Sequence, residues 1–81
     1  MKFRVLFFSV LRDITGCEEI EWQTSGPDTV AELLNQLRLR WPKLADWDRS
    51  LLIAINHSYV GREATLCEGC EVAIMPPVQG G

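Results

Sequence analysis

The sequence predicts an α+β domain in which one helix covers one face of a sheet of about four to five strands. Strand-like apolar or alternating runs recur at residues 2–10, 18–22, 51–55, 59–60 and 71–75. Only the stretch from Val30 to Trp41 carries sustained helical spacing. The 81-residue chain also lacks repeats and linkers, so these elements share a single core near the lower size limit for a self-sufficient domain.

Residues 2–10 read as a buried strand, with Phe3, Val5 and Phe7 on one face and Leu6, Phe8 and Val10 on the other. Because both faces are apolar, this strand is expected to be central, or to turn one face to a partner. Leu11 to Gly16 is too short for a long helix and ends in glycine, which fits a single helical turn or a loop. Glu18-Glu19-Ile20-Glu21-Trp22 alternates, with Ile20 and Trp22 inward, and is expected to pair antiparallel with the first strand. Gln23 to Asp28 is turn chemistry, punctuated by Ser25-Gly26-Pro27-Asp28.

The main helix follows. Thr29-Val30-Ala31-Glu32 has the form of a capping box, in which Thr29 accepts from the Glu32 N–H and Glu32 reaches back. Val30, Leu33, Leu34, Leu37 and Trp41 form one apolar stripe, read as packing and not as a cofactor site, and Pro42 ends the helix. Lys43 to Trp47 is expected to make a short turn. Leu51 to Ile55 reads as the third strand, with Leu51, Ile53 and Ile55 on one face. Asn56-His57-Ser58 is a turn, and Tyr59-Val60 a short strand or edge. Glu68-Gly69 marks another turn. Glu71 to Met75 is the last strand, with Val72 and Ile74 inward and Met75 outward.

Composition narrows the functional classes. A hydrophobic fraction of 47% and a charged fraction of 23% are those of an ordinary soluble globular protein. A net charge of −3 argues against nucleic acid as the main ligand, with Arg38, Arg40 and Lys43 as local basic spots only. No apolar run is long enough to span a bilayer. The apolar opening from Met1 to Phe8 is cut short by Ser9, Arg12 and Asp13 without a cleavage site, so a cytoplasmic protein is expected. Three cysteines without a secretion signal make a disulfide framework unexpected.

The distinctive stretch is the last one: Pro76-Pro77-Val78-Gln79-Gly80-Gly81. Pro76 and Pro77 lack N–H groups, cannot continue a ladder and push their neighbours towards extended geometry. Gly80 and Gly81 accept nearly any backbone angle and carry no side chain. Residues 1–75 are therefore expected to form the folded domain and residues 76–81 an arm, with an extended reach of about 20 Å, tipped by the Gly81 carboxylate.

This order of elements, ending in Gly-Gly, resembles the ubiquitin-like β-grasp fold, a mixed sheet packed on one main helix. Three stretches resemble the molybdopterin synthase small-subunit family of sulfur carriers: Lys2-Phe3-Arg4-Val5-Leu6-Phe7-Phe8, Leu52-Ile53-Ala54-Ile55-Asn56, and Gly69-Cys70-Glu71-Val72-Ala73 together with the Pro-Pro-Val-x-Gly-Gly terminus. The resemblance covers essentially the whole chain. It implies that Gly81 is adenylated, converted to a thiocarboxylate and used to donate sulfur to a cyclic pyranopterin precursor, building the molybdopterin dithiolene. The acyl-AMP and the thiocarboxylate are transient, and no cofactor or metal is expected to reside in the chain. Implied partners are a larger synthase subunit in a heterotetramer, an ATP-dependent adenylyltransferase related to ubiquitin-activating proteins, and a sulfurtransferase. Phe8, Tyr59 and Met75 match positions of the family's hydrophobic partner contact.

The residues themselves supply no catalytic constellation. There is no P-loop and no G-x-G-x-x-G, and the single His57 has no evident catalytic neighbour. Acid–base groups are thus expected on the partners, and the resemblance implies that this chain is a non-catalytic, sulfur-donating subunit. Three other readings share features of the sequence: a carrier for thiamine thiazole synthesis or tRNA thiolation, a ubiquitin-like modifier joined through Gly81, and a metal or redox module. The last would draw on Cys67-Glu68-Gly69-Cys70, where the family is usually acidic or polar, with Cys17 and His57 completing a zinc site.

Overall fold

Strand alternation decides where the core lies. In the computed structural model, which describes residues 1–25 and 29–77, Phe3, Val5 and Phe7 of β1 (Lys2–Phe7) are at most 2% exposed. They point towards the main helix α2 (Val30–Arg40), whose Val30, Leu33, Leu34 and Leu37 are equally buried. Burial of each such aliphatic side chain contributes roughly 1.5–3 kcal/mol, so the contact between α2 and the sheet dominates the core.

The remaining elements are α1 (Val10–Thr15), β2 (Glu19–Gln23), two 3-10 turns (Pro42–Asp46 and Asp48–Ser50), β3 (Leu52–Ile55), β4 (Ser58–Val60) and β5 (Glu71–Met75). The five strands form one mixed sheet in the order β2-β1-β5-β3-β4. β1 and β5 run parallel, whereas β1–β2, β3–β5 and β3–β4 are antiparallel. This is the expected α+β architecture, with α2 as the one main helix. β5 occupies the middle, and its Val72 and Ile74 are fully buried. β1 is interior but not central.

Thr29 caps α2 as expected. Its hydroxyl accepts from the Glu32 N–H at 3.3 Å and donates to the Glu32 carboxylate Oε1 at 3.1 Å. The Val30 and Ala31 N–H groups, which a helix cannot satisfy internally, donate to the carbonyls of Ala64 and Arg62 at 3.0 and 2.9 Å. Asp48 accepts from both Arg38 and Arg62, tying the end of α2 to the segment that serves its start. Trp22 packs beside Trp41 and donates its indole N–H to Gln36 Oε1 at 3.0 Å, which fixes β2 against α2.

Two expectations need correction, the end of the first strand and the face of Val10. The first strand ends at Phe7 and not at Val10, because Ser9 turns the chain at φ 56°. Val10 then opens α1 and packs against the core, so it does not share the outer face with Leu6 and Phe8. Leu11 is fully buried, and Gly16 ends α1 in the left-handed conformation, donating to Arg12 O at 2.8 Å. The short turn expected at Lys43 to Trp47 is present as a 3-10 helix with Pro42 at its first position. The predicted Ser25-Gly26-Pro27-Asp28 turn lies, from Gly26 to Asp28, outside the described residues.

Candidate functional site

The sheet face turned away from α2 is built by the alternate residues of each strand. Leu6 of β1 stands opposite Ala73 of β5, Ala73 opposite Ala54 of β3, and Ala54 opposite Tyr59 of β4. One step further along the sheet, Met75 stands opposite Leu52. Phe8 follows the last residue of β1 and donates its N–H to Ile74 O at 3.3 Å. The two alanines leave a depression between larger neighbours. A shallow cavity of about 340 Å³ results, lined by Leu6, Phe8, Tyr59, Met75 and the two alanines, with His57 and Glu71 at its polar end.

Phe8, Tyr59 and Met75, singled out in the sequence from distant positions, thus line one depression. Phe8 is 43% and Tyr59 72% exposed, while Met75 is half-buried. Ala54 and Ala73 were not anticipated as part of the site. The readable signal was small residues in two paired strands on the face opposite the core, which parity alone assigns once the pairing is known.

Charge closes the other end of this face. Arg4 bridges Glu71 at 2.8 Å and Glu19 at 3.4 Å, spanning three adjacent strands. The Glu71 backbone N–H donates to Asn56 Oδ1 at 2.9 Å, and His57 Nε2 lies 3.7 Å from Glu71 Oε1. Asn56 and His57 form the β3–β4 hairpin turn with φ of 49° and 74°, the left-handed pair that a two-residue hairpin favours. His57 is solvent-facing, with its side chain 87% exposed.

The strand carrying this depression also carries the C-terminal segment. β5 ends at Met75 in the depression, and Pro76 and Pro77 follow, both half-buried. Val78, Gln79, Gly80 and Gly81, the rest of the arm expected from the sequence, lie outside the described residues. Cys67 is exposed, Cys17 half-buried and Cys70 buried, and burial pushes the Cys70 thiol pKa up. Among the described residues no three His, Cys, Asp or Glu side chains are grouped so as to hold a metal ion, so Cys17, Cys67, Cys70 and His57 do not assemble a zinc site. Nor is any described helix long and apolar enough to cross a membrane.

A mixed five-strand sheet on one main helix, with its chain leaving from the central strand, defines a ubiquitin-like β-grasp domain. The chain belongs to the ThiS family, whose model matches residues 5–81. It is 38% identical to the molybdopterin synthase sulfur carrier subunit of Escherichia coli, over 96% of this chain and 98% of that one. It is 37% identical to the protein of the same name from Mycobacterium tuberculosis, over 100% and 99% of the two chains. Among solved structures, the Haloferax volcanii HVO 2177 protein superposes with a TM-score of 0.86 at 27% identity, covering 100% of this chain and 87% of that one. A complex of subunits 1 and 2 of the molybdopterin-converting factor from Helicobacter pylori contains a chain of the same fold, with a TM-score of 0.69 at 23% identity and complete coverage of both chains.

Proposed function

We propose that this chain is the sulfur-carrier small subunit of a molybdopterin synthase. The observation that carries the proposal is the end-to-end match to two relatives of that name, with the family match running through Gly80-Gly81. Carriers for thiamine or tRNA thiolation and protein modifiers share the fold, and the relatives' names favour the synthase.

In this reading Gly81 supplies the reacting carbon. A carboxylate acylates poorly because oxide would have to leave. An ATP-dependent adenylyltransferase therefore joins the Gly81 carboxylate to AMP and releases pyrophosphate. Sulfur from a sulfurtransferase then displaces AMP and leaves a thiocarboxylate. The arm carries that sulfur into the large subunit, where it passes to the cyclic pyranopterin precursor, and two such transfers complete the dithiolene. Both modifications of Gly81 are transient, and no resident cofactor takes part.

The apolar depression gives the body of the carrier its docking face. Exposed aromatic and methionine side chains around small residues suit an interface better than a solvent face. The Helicobacter pylori complex supports a large-subunit partner. The test is intact mass after co-expression with an adenylyltransferase and a sulfur source. Replacement of one terminal oxygen by sulfur on Gly81 is expected. A terminus that stays a plain carboxylate while the partners are active overturns the carrier reading.

A further inference from the structure

The Cys67-Glu68-Gly69-Cys70 turn stands apart from the depression and the arm, at the opposite end of β5. The Cys70 N–H donates to the Cys67 carbonyl at 3.3 Å, and Gly69 takes φ 77°. A four-residue turn of this kind holds its first and fourth Cα atoms within about 7 Å, overlapping the roughly 4.4–6.8 Å that a disulfide spans. The two thiols differ in access: Cys67 is exposed, whereas Cys70 is 2% exposed in the core with Phe3 and Leu66. The turn is also anchored. Gly69 N–H donates to Lys2 O at 2.7 Å, Lys2 N–H to Glu68 Oε1 at 3.1 Å, and Arg4 N–H to Cys70 O at 3.0 Å.

We propose that Cys67 and Cys70 form a reversible thiol–disulfide site, in which the exposed thiol reacts first with a low-molecular-weight disulfide and the buried thiol resolves the product. The Cys67 thiolate attacks one sulfur of R–S–S–R, forming Cys67–S–S–R and expelling RS⁻, which takes up the proton. Cys70 then loses its proton and attacks the Cys67 sulfur, forming the Cys67–Cys70 bond and expelling the second RS⁻, which takes up that proton. Two protein thiols are oxidised and one small disulfide is reduced to two thiols. Burial keeps Cys70 out of reach of a solvent-borne oxidant and leaves initiation to the exposed Cys67. The Cys70 N–H bond to the Cys67 carbonyl keeps the ends of the turn together, so the second step needs only local movement. About 16 Å of strand separates the turn from Pro76, so the site is distinct from sulfur carriage at Gly81.

The test incubates the folded full-length protein with oxidised glutathione, quenches by alkylation and maps the thiols by peptide mass. Of the three free cysteines, two are expected to be lost to a Cys67–Cys70 disulfide carrying no glutathione, with the thiols restored by dithiothreitol. Cys70→Ala is expected to accumulate a stable glutathione adduct on Cys67, and Cys67→Ser to leave Cys70 unmodified. Cys70→Val serves if the alanine variant does not fold, and the wild-type product is read independently of both. A wild-type protein that stays fully reduced, keeps glutathione on Cys67 or oxidises through Cys17 overturns the proposal.

Discussion

Ala54 and Ala73 stand opposite each other on β3 and β5, on the sheet face turned away from α2. Ala54 is only 7% exposed although it faces away from the main core, because its neighbours Tyr59, Met75 and Phe8 rise around it. The depression exists because this pair is small. Ala73→Leu fills it without placing charge or strain in the core. Stability is expected to change by no more than about 0.5 kcal/mol, as for other surface substitutions. Affinity for the large subunit is expected to fall by about fivefold or more, because overfilling a packed contact costs roughly 1–3 kcal/mol. Titration calorimetry beside urea unfolding separates the two effects, and unchanged affinity removes the depression from the interface.

Phe8 and Met75 test the same face by charge. Phe8→Glu or Met75→Glu adds a carboxylate that water solvates in the free carrier and a partner would bury. An unpaired buried charge at an interface costs several kcal/mol, so binding is expected to weaken far more than folding. If either variant unfolds before it loses partner affinity, that side chain belongs to the fold and not to the docking face.

Packing and surface charge predict opposite magnitudes elsewhere. Leu37 is fully buried in the middle of the α2 stripe, and Leu37→Ala is expected to cost about 2–5 kcal/mol through lost burial and a residual cavity. Arg4 bridges Glu19 and Glu71 with its side chain half exposed, and Arg4→Ala is expected to cost less than about 1 kcal/mol. Urea midpoints of the two variants give the comparison. An Arg4 variant as damaged as the Leu37 variant would mean that the three-strand ion bridge, and not apolar burial, holds the sheet.

Elements set by one strong local rule were legible from sequence. The α2 stripe, its Thr29 cap and the strand parity of Phe3, Val5 and Phe7 each follow from a single periodicity or hydrogen-bond motif. The break after Phe7 was not legible, since Phe8 and Val10 continue the apolar alternation of β1. Ser9, at φ 56°, diverts the chain into α1, where burying Leu11 outweighs another three residues of strand. Parity likewise separated Phe8 and Met75 from the core, yet the depression between them was hidden. It depends on the Leu6–Ala73 and Ala54–Ala73 pairings, and the parallel pairing of β1 with β5 joins residues far apart in the chain.

Gly81 offers the most direct test of the carrier reading. Deleting it, or adding one residue after it, is expected to abolish sulfur transfer while leaving the fold intact. The core that holds the sheet together ends with β5 at Met75, and a terminal residue that buries little contributes little stability. Chemistry depends on it differently. In the proposed function the same carbonyl would have to reach ATP in one enzyme and the pterin precursor in another, with the carrier body docked against each. One residue more or less moves the reacting carbon by roughly 3.3 Å, well beyond what near-attack geometry tolerates. Melting temperature, thiocarboxylate yield and pterin conversion are measured for both variants. Near-parental melting with no conversion is the expected pattern, and conversion at the parental rate by either variant shows that Gly81 does not carry the sulfur.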